Sequence, residues 1–484
     1  MHSILLVAGI GCLAGAVFRV VDTGRVFQKQ MLTWNEGRKG SYVQAAEKTP
    51  AYFADEAFAK KIQQEIDRDN ESRKSGKAYY ISPKGNDKAK GTKKKPFRTF
   101  ERACQSLKPG DTLYVRGGIY TESIRIGKKQ SGTEKKYITI CNYSDEHPVI
   151  SGKKKKTQLL KITGASYVRI SGLEFQDARG QDSCGIKITS GSHHLVISGN
   201  KIHQISVPNP KKANHCANGI LLFGEKAKKE IHDVLIYNNY LYDCQTGWAE
   251  CISVTANCRN INVISNRIKN TGNIGIDVTG NYGYCSDPAK DFPRKCLIYK
   301  NRVEQCVSPY ATSYGIYVDG AQEVQILKNQ VRKCSGGIEI GAEEKPPEEA
   351  YSTSNVLVQN NQIVDNIENG ITVGGYQKNL GWVKNVRILN NRCKNNGKDN
   401  AILTLAKCKN ITLKNNTFKN TSGDAAVVYA EFPEKYTKNI QFENNEYYNG
   451  HSKNKTMFVY WGKVYTSFSK WKKVVGKQAG VYQK

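Results

Sequence analysis

Three acids, Asp277, Asp319 and Glu339, stand at matching places in short repeated strings: IGIDV from 274, YGIYVDG from 314 and GGIEI from 336. Aligned on their Gly-Ile, the strings put Asp277, Tyr317 and Glu339 in one column. Asp319 falls two residues further on, in a column with Thr279 and Gly341. If the strings are adjacent β-strands, the strands lie about 4.8 Å apart and two residues span about 6.6 Å, which puts Asp319 roughly 8 Å from each of the other acids, backbone to backbone. Two carboxyls about 6.5 to 9.5 Å apart can protonate a leaving oxygen and activate a water across a glycosidic bond; about 5 to 5.5 Å suits a nucleophile instead. The spacing fits an acid pair acting on a sugar, with inversion mildly favoured.

The surrounding sequence supplies walls for such a site. From the Gly-Ile string to the next repeated Asn is 13 or 14 residues in compact repeats, but 25 after Ile276, 23 after Ile338 and 20 after Ile371. The longer loops carry Tyr282, Tyr284, Tyr376 and Trp382; Trp248 precedes Glu250, and Glu343 and Glu344 follow Glu339. Aromatic faces beside carboxylates can line a sugar groove. The candidate catalytic residues are therefore Asp277, Asp319 and Glu339. Glu250, Trp248, Tyr282, Tyr284, Arg294, Tyr317, Tyr376 and Trp382 are the candidate substrate contacts. No metal ligand or cofactor is assigned, although calcium is the one ion these carboxylates suit; against it, calcium takes six or more oxygens and the acids are spread over three repeats.

Plainer readings compete. Asp319-Gly320 is an ordinary turn pair, and Asp277 and Glu339 could simply pair with Arg294 or Lys295. His193-His194 and His203 sit at strand edges without a repeated partner and read as surface or packing residues. Two other functions stay open. One is a polysaccharide lyase on an acidic glycan, with Tyr317 or Arg294 as base. The other is a solenoid that binds glycan or cell wall without cutting it.

The elements that position these residues form a repeat. LVISGN, VLIYNN, INVISN, CLIYKN, VQILKN, VLVQNN, VRILNN, ITLKNN and IQFENN end at Asn200, Asn239, Asn266, Asn301, Asn329, Asn361, Asn391, Asn416 and Asn445, a mean spacing of about 31 residues. Between them run the Gly-Ile strings, so each repeat holds at least two short alternating strands, one apolar row facing in and one polar row facing out. A repeat this short must stack on its neighbours to make a core. The Asn accepts turn angles cheaply and can bond the same Asn in the coils above and below; these residues hold the fold and do no chemistry.

The segment YYISPKGNDKAKGTKKKPFRTFERACQSLKPGDTLYVRGGIYTE, 79 to 122, resembles the opening of bacterial extracellular β-helix proteins of the pectate-lyase-like superfamily. The resemblance, over roughly 79 to 460, implies an all-β fold, a right-handed parallel β-helix, whose first coil is plugged by a short amphipathic helix. Phe97, Phe100, Ala103, Cys104 and Leu107 have the spacing for that helix. The family's familiar activity motifs are missing: there is no Asn-Thr-Asp, no Asp-Asp, no Gly-His-Gly and no W-x-D-H, and Arg267-Ile268-Lys269 falls in the Asn repeat. An ordinary pectinase is therefore not expected.

The rest of the chain frames this domain, taken as 77–465. Residues 1–21 contain an apolar run from Ile4 to Phe18, suited to a signal peptide or membrane anchor, although Arg19, Arg25 and Lys29 follow it rather than precede it. Residues 22–76 read as a helical, charged linker, and 466–484 as a basic tail. The expected place is extracellular or anchored at the cell surface. The 484 residues carry a formal charge of +30, with Lys and Arg scattered rather than laid along a nucleic-acid-binding motif. This favours a poly- or oligosaccharide partner, acidic ones included, over nucleic acid. The 14 Cys show no C-x-x-C, and Cys244, Cys306 and Cys334, each five residues after a repeated Asn, read as free thiols stacked inside the coil.

Overall fold

The computed structural model describes residues 76–483 except 156, 398–399 and 422–425, together with Gln64. The expected leader and nearly all of the helical linker lie outside the described residues. Contacts divide the chain after Gly76 and set off Lys77–Lys484 as a unit of its own.

This part is a solenoid of three 13-stranded sheets, in which each coil adds one strand to each sheet. Every described strand pairing is parallel except the last hairpin, Phe458–Tyr460 with Lys463–Tyr465. The reason lies in the alternation of the strands. In the sheet carrying the acids, Ile186, Ile220, Ile252, Ile276, Ile316, Ile338 and Ile371 are register partners in turn and are wholly buried. Each repeat leaves its apolar row uncovered until the next coil closes over it, so stacking supplies the core.

The Asn repeat forms an unbroken ladder. Each side-chain amide from Asn200 to Asn416 donates to the next Oδ1, at 2.9 to 3.1 Å, through to Asn445. The left-handed backbone angle belongs to the residue before each ladder Asn, such as Lys300 (φ 53°) or Asn390 (φ 56°). The ladder Asn therefore acts through its amide rather than through its own backbone angle. A second, shorter ladder joins Asn366 to Asn396 at 2.8 Å.

Each coil has a third strand just after the ladder Asn, such as Arg302–Cys306. The helix Phe100–Ser106, capped by the Thr99 hydroxyl, buries Phe100, Ala103 and Cys104 against the first coil, with Phe97 and Leu107 buried beside it. At the other end, the basic segment 466–484 does not trail as a tail. Helix Phe468–Val475 buries Trp471 completely, stacked 4.4 Å from Phe458, and Gly480–Tyr482 joins the third sheet. Among its lysines, Phe468 and Trp471 are buried and close the last coil. Every described cysteine is free, and all but Cys216 are buried.

Candidate active site

The pairing register places the three acids as the strings imply. Strands Ile276–Thr279, Tyr314–Asp319 and Gly336–Gly341 are consecutive neighbours; Asp277 pairs with Tyr317, which pairs with Glu339, while Asp319 pairs with Thr279 and Gly341. Asp319 ends its strand and Gly320 turns the chain with φ 71°. Gly341 is required for a different reason: a Cβ there would meet the Tyr317 hydroxyl at 2.6 Å.

This polar row is covered rather than solvated. Asp277, Asp319 and Glu339 are 3%, 2% and 8% exposed. The cover comes from the long loops. In the loop 280–293, the buried carboxylate of Asp291 accepts the backbone N–H groups of Gly283 at 2.6 Å and Cys285 at 2.7 Å. That bracing holds Tyr282 and Tyr284 in place, their rings stacked at 5.9 Å. The Tyr282 hydroxyl donates to Asp319 Oδ2 at 2.6 Å and also contacts Glu343 Oε2 at 3.0 Å. Glu343 returns its backbone N–H to Asp319 Oδ1 at 2.8 Å, and the Tyr317 hydroxyl donates to Glu343 Oε1 at 3.2 Å.

Glu343 is the acid missed among the candidate site residues. It lies two residues beyond its strand, where strand register no longer places a side chain; its nearness to Glu339 was the only signal.

The electrostatics follow from crowding carboxyls in a dry place. Burial, with the charges of Glu250, Asp319 and Glu343, holds Asp277 well above the usual carboxylate range, and its Oδ1 is buried without a hydrogen-bond partner. Burial and Glu343 likewise push Asp319 up, against the pull of its two donors. Burial lifts Glu339, as do Glu343 and Asp319. Burial raises Glu343 against the two tyrosine hydroxyls, and it brings Glu250 up to about 7. No ion pair among the described residues engages any of these five carboxyls; the cluster is uncompensated by base.

The other candidates divide. Tyr376 and Tyr284 join the site: burial raises both, Tyr376 also through Glu343, Asp319 and Glu339, and Tyr284 through Glu250. Trp248 stands before the strand rather than after it, packed at 5.6 Å against Tyr310, so aromatics flank the strands at both ends. Arg294 is elsewhere. It begins a strand of the adjacent sheet and pairs with Glu230, and Lys295 faces Glu323 at 3.9 Å; neither neutralises the acids. Trp382 has Lys407 and Lys409 each 5.2 Å from its ring and Lys438 at 5.8 Å. The misplacement of Arg294 comes from a corner position, where sequence distance says little about direction.

Three sheets of parallel strands, stacked coil on coil, define a parallel β-helix. The chain belongs to the Pel9A-like family: that family's right-handed β-helix region matches residues 79–421. It is 30% identical over 332 residues to the uncharacterized protein YwoF of Bacillus subtilis, covering 66% of this chain and 68% of that one. A shorter stretch of 74 residues, 15% of this chain and 18% of the relative, is 35% identical to pectate lyase PEL9 of Emericella nidulans. Among solved structures, the GH136 lacto-N-biosidase from Eubacterium ramulus matches with TM-score 0.55 at 14% identity, over 82% of this chain and 72% of that one. The exopolygalacturonase from Thermotoga maritima matches with TM-score 0.53 at 11% identity, over 83% and 98%. At these identities the two structures speak to the fold.

Proposed function

We propose that the chain is a carbohydrate-active enzyme that hydrolyses glycosidic bonds in a poly- or oligosaccharide, and, from the apolar run Ile4 to Phe18, that it works at or beyond the cell surface. The observation carrying this reading is the contrast between Asp277 and Asp319. Both are buried, but Asp319 accepts hydrogen bonds from Tyr282 and from the Glu343 backbone, while Asp277 Oδ1 accepts none. Donors to a carboxylate favour its ionised form. Burial and neighbouring carboxyls raise both acids, but the hydroxyl and backbone N–H donors belong to Asp319, and that difference suits a division of labour. Asp277 protonates the leaving oxygen; Asp319 serves as the ionised partner that activates water or attacks. Glu339 and Glu343 keep the pocket acidic, and Tyr282, Tyr284 and Tyr376 offer faces to the sugar rings.

A lyase is the second reading, favoured by the stretch of similarity to pectate lyase PEL9. The carboxyl oxygens of Asp277, Asp319, Glu339 and Glu343 are of the type calcium takes, and calcium would neutralise an acidic substrate. This reading also needs a base. Tyr282 and Tyr317 are held well above the usual phenol range, chiefly by burial and then by Asp319, so they act as donors. Digestion of a glycan panel separates the readings: hydrolysis gives new reducing ends without absorbance at about 235 nm, whereas β-elimination gives both. Unsaturated products would overturn the hydrolase reading.

A further inference from the structure

Away from the acids, on the next sheet, three histidines meet. His193 and His194 are consecutive, and in a regular strand they would point to opposite faces. His194 instead has a left-handed φ of 51°, and the two rings come together with their Nδ1 atoms 2.8 Å apart. One coil on, His232 is the register partner of His193, its ring parallel within 3° at 4.7 Å. Asp233 also sits at a left-handed position, φ 54°; its Oδ2 lies 2.6 Å from His232 Nδ1 and 3.6 Å from His194 Nε2. One ring nitrogen from each histidine lies within 4.8 Å of the other two.

Such a group is a poor packing solution by itself. Two facing Nδ1 atoms can share only one proton, and three imidazolium charges in this space would repel. Burial and the neighbouring imidazoles hold His193 and His194 below the usual range. The Asp233 carboxyl is held well below its usual range by His232, with the Asn260 amide also donating to it. The side chains of His194 and His232 are 33% and 25% exposed, which leaves a path for an ion. Three imidazoles and one carboxylate are the donor types of zinc and its neighbours, whereas calcium takes oxygen alone. We propose that His193, His194, His232 and Asp233 form a binding site for a divalent transition-metal ion, zinc foremost, that ties two successive coils together at this corner and is separate from the acidic site.

The test uses chelator-stripped protein without an affinity tag of histidines, titrated with Co²⁺ and read by its visible absorption. About one cobalt per chain should bind with the intense bands of a four-coordinate site, displaced by zinc and not by calcium. His193→Ala and His232→Ala should each weaken binding at least about tenfold, and Asp233→Asn by about tenfold. His203→Ala, whose ring pairs with Glu174 at 3.2 Å, and Asp277→Asn should leave cobalt binding intact. Zinc should also raise the melting temperature of the native chain and not of His232→Ala. No cobalt binding by the native chain, cobalt binding unchanged in His193→Ala and His232→Ala, or a zinc-induced melting shift that persists in His232→Ala would each overturn the site.

Discussion

The Tyr282 hydroxyl donates to Asp319 Oδ2 at 2.6 Å, binding a loop to the strand end that carries the acid. The same hydroxyl lies 3.0 Å from Glu343, yet it has one proton to give. If that proton goes to Asp319, the contact with Glu343 calls for a proton on the Glu343 carboxyl. The pair thus favours Asp319 as the ionised member of the cluster.

Tyr282→Phe removes the donor and should raise the Asp319 carboxyl further. With Asp319 working in its ionised form, as proposed, the acidic limb of the kcat/KM profile should move to higher pH, with a rate loss near pH 6 of about tenfold, corresponding to about 1.4 kcal/mol. A pH–rate profile checks this; an unmoved acidic limb would remove Tyr282 from the account.

Glu250 should make the fold weaker as pH rises. Its folded value, about 7, lies above its ordinary 4.5, so the folded chain binds the proton more tightly than the unfolded one. Its contribution is full below about pH 4.5 and is lost as pH climbs through about 7. Glu250→Gln removes this term, and the melting temperature of the variant relative to the native chain should increase from pH 4.5 to 7.5. A difference that stays flat across this window contradicts the shift.

Chelation separates the two chemistries. A hydrolase working through Asp277 and Asp319 alone should keep its rate in excess EDTA, which also strips a zinc ion from the histidine corner. Activity lost to EDTA and restored by calcium, not zinc, would move the cluster to the calcium-assisted lyase reading.

Asn301 tests the ladder. Its Oδ1 accepts from the backbone and side chain of Asn266, and its amide donates to Val263 O at 2.8 Å and to Asn329. Asn301→Ala leaves these groups buried and unpaired, at a cost on the order of 1–3 kcal/mol each before relaxation. Urea unfolding should show a loss of several kcal/mol; a loss under about 1 kcal/mol would show that the ladder is ornament to the core.

How much of this was legible depended on whether a residue stood inside the repeat. The Asn ladder, the isoleucine column and the order of Asp277, Tyr317 and Glu339 all follow from period and alternation, because strand register is rigid. The shorter ladder at Asn366 and the third strand of each coil lacked a repeated string long enough to see. Glu343 and Arg294 lie beyond a strand end and at a corner, where one bend decides the direction. His193 and His194 read as surface or packing residues because His232 is 39 residues from its partner His193 and joins it only through register.

The central claim is that Asp277 and Asp319 are the working pair. The direct measurement is kcat and KM of Asp277→Asn and Asp319→Asn beside the native enzyme, on the best-cleaved glycan, with folding verified by circular dichroism. Each substitution should lower kcat by about 10²–10⁴ with little change in KM. Either variant turning over at the native rate would contradict it.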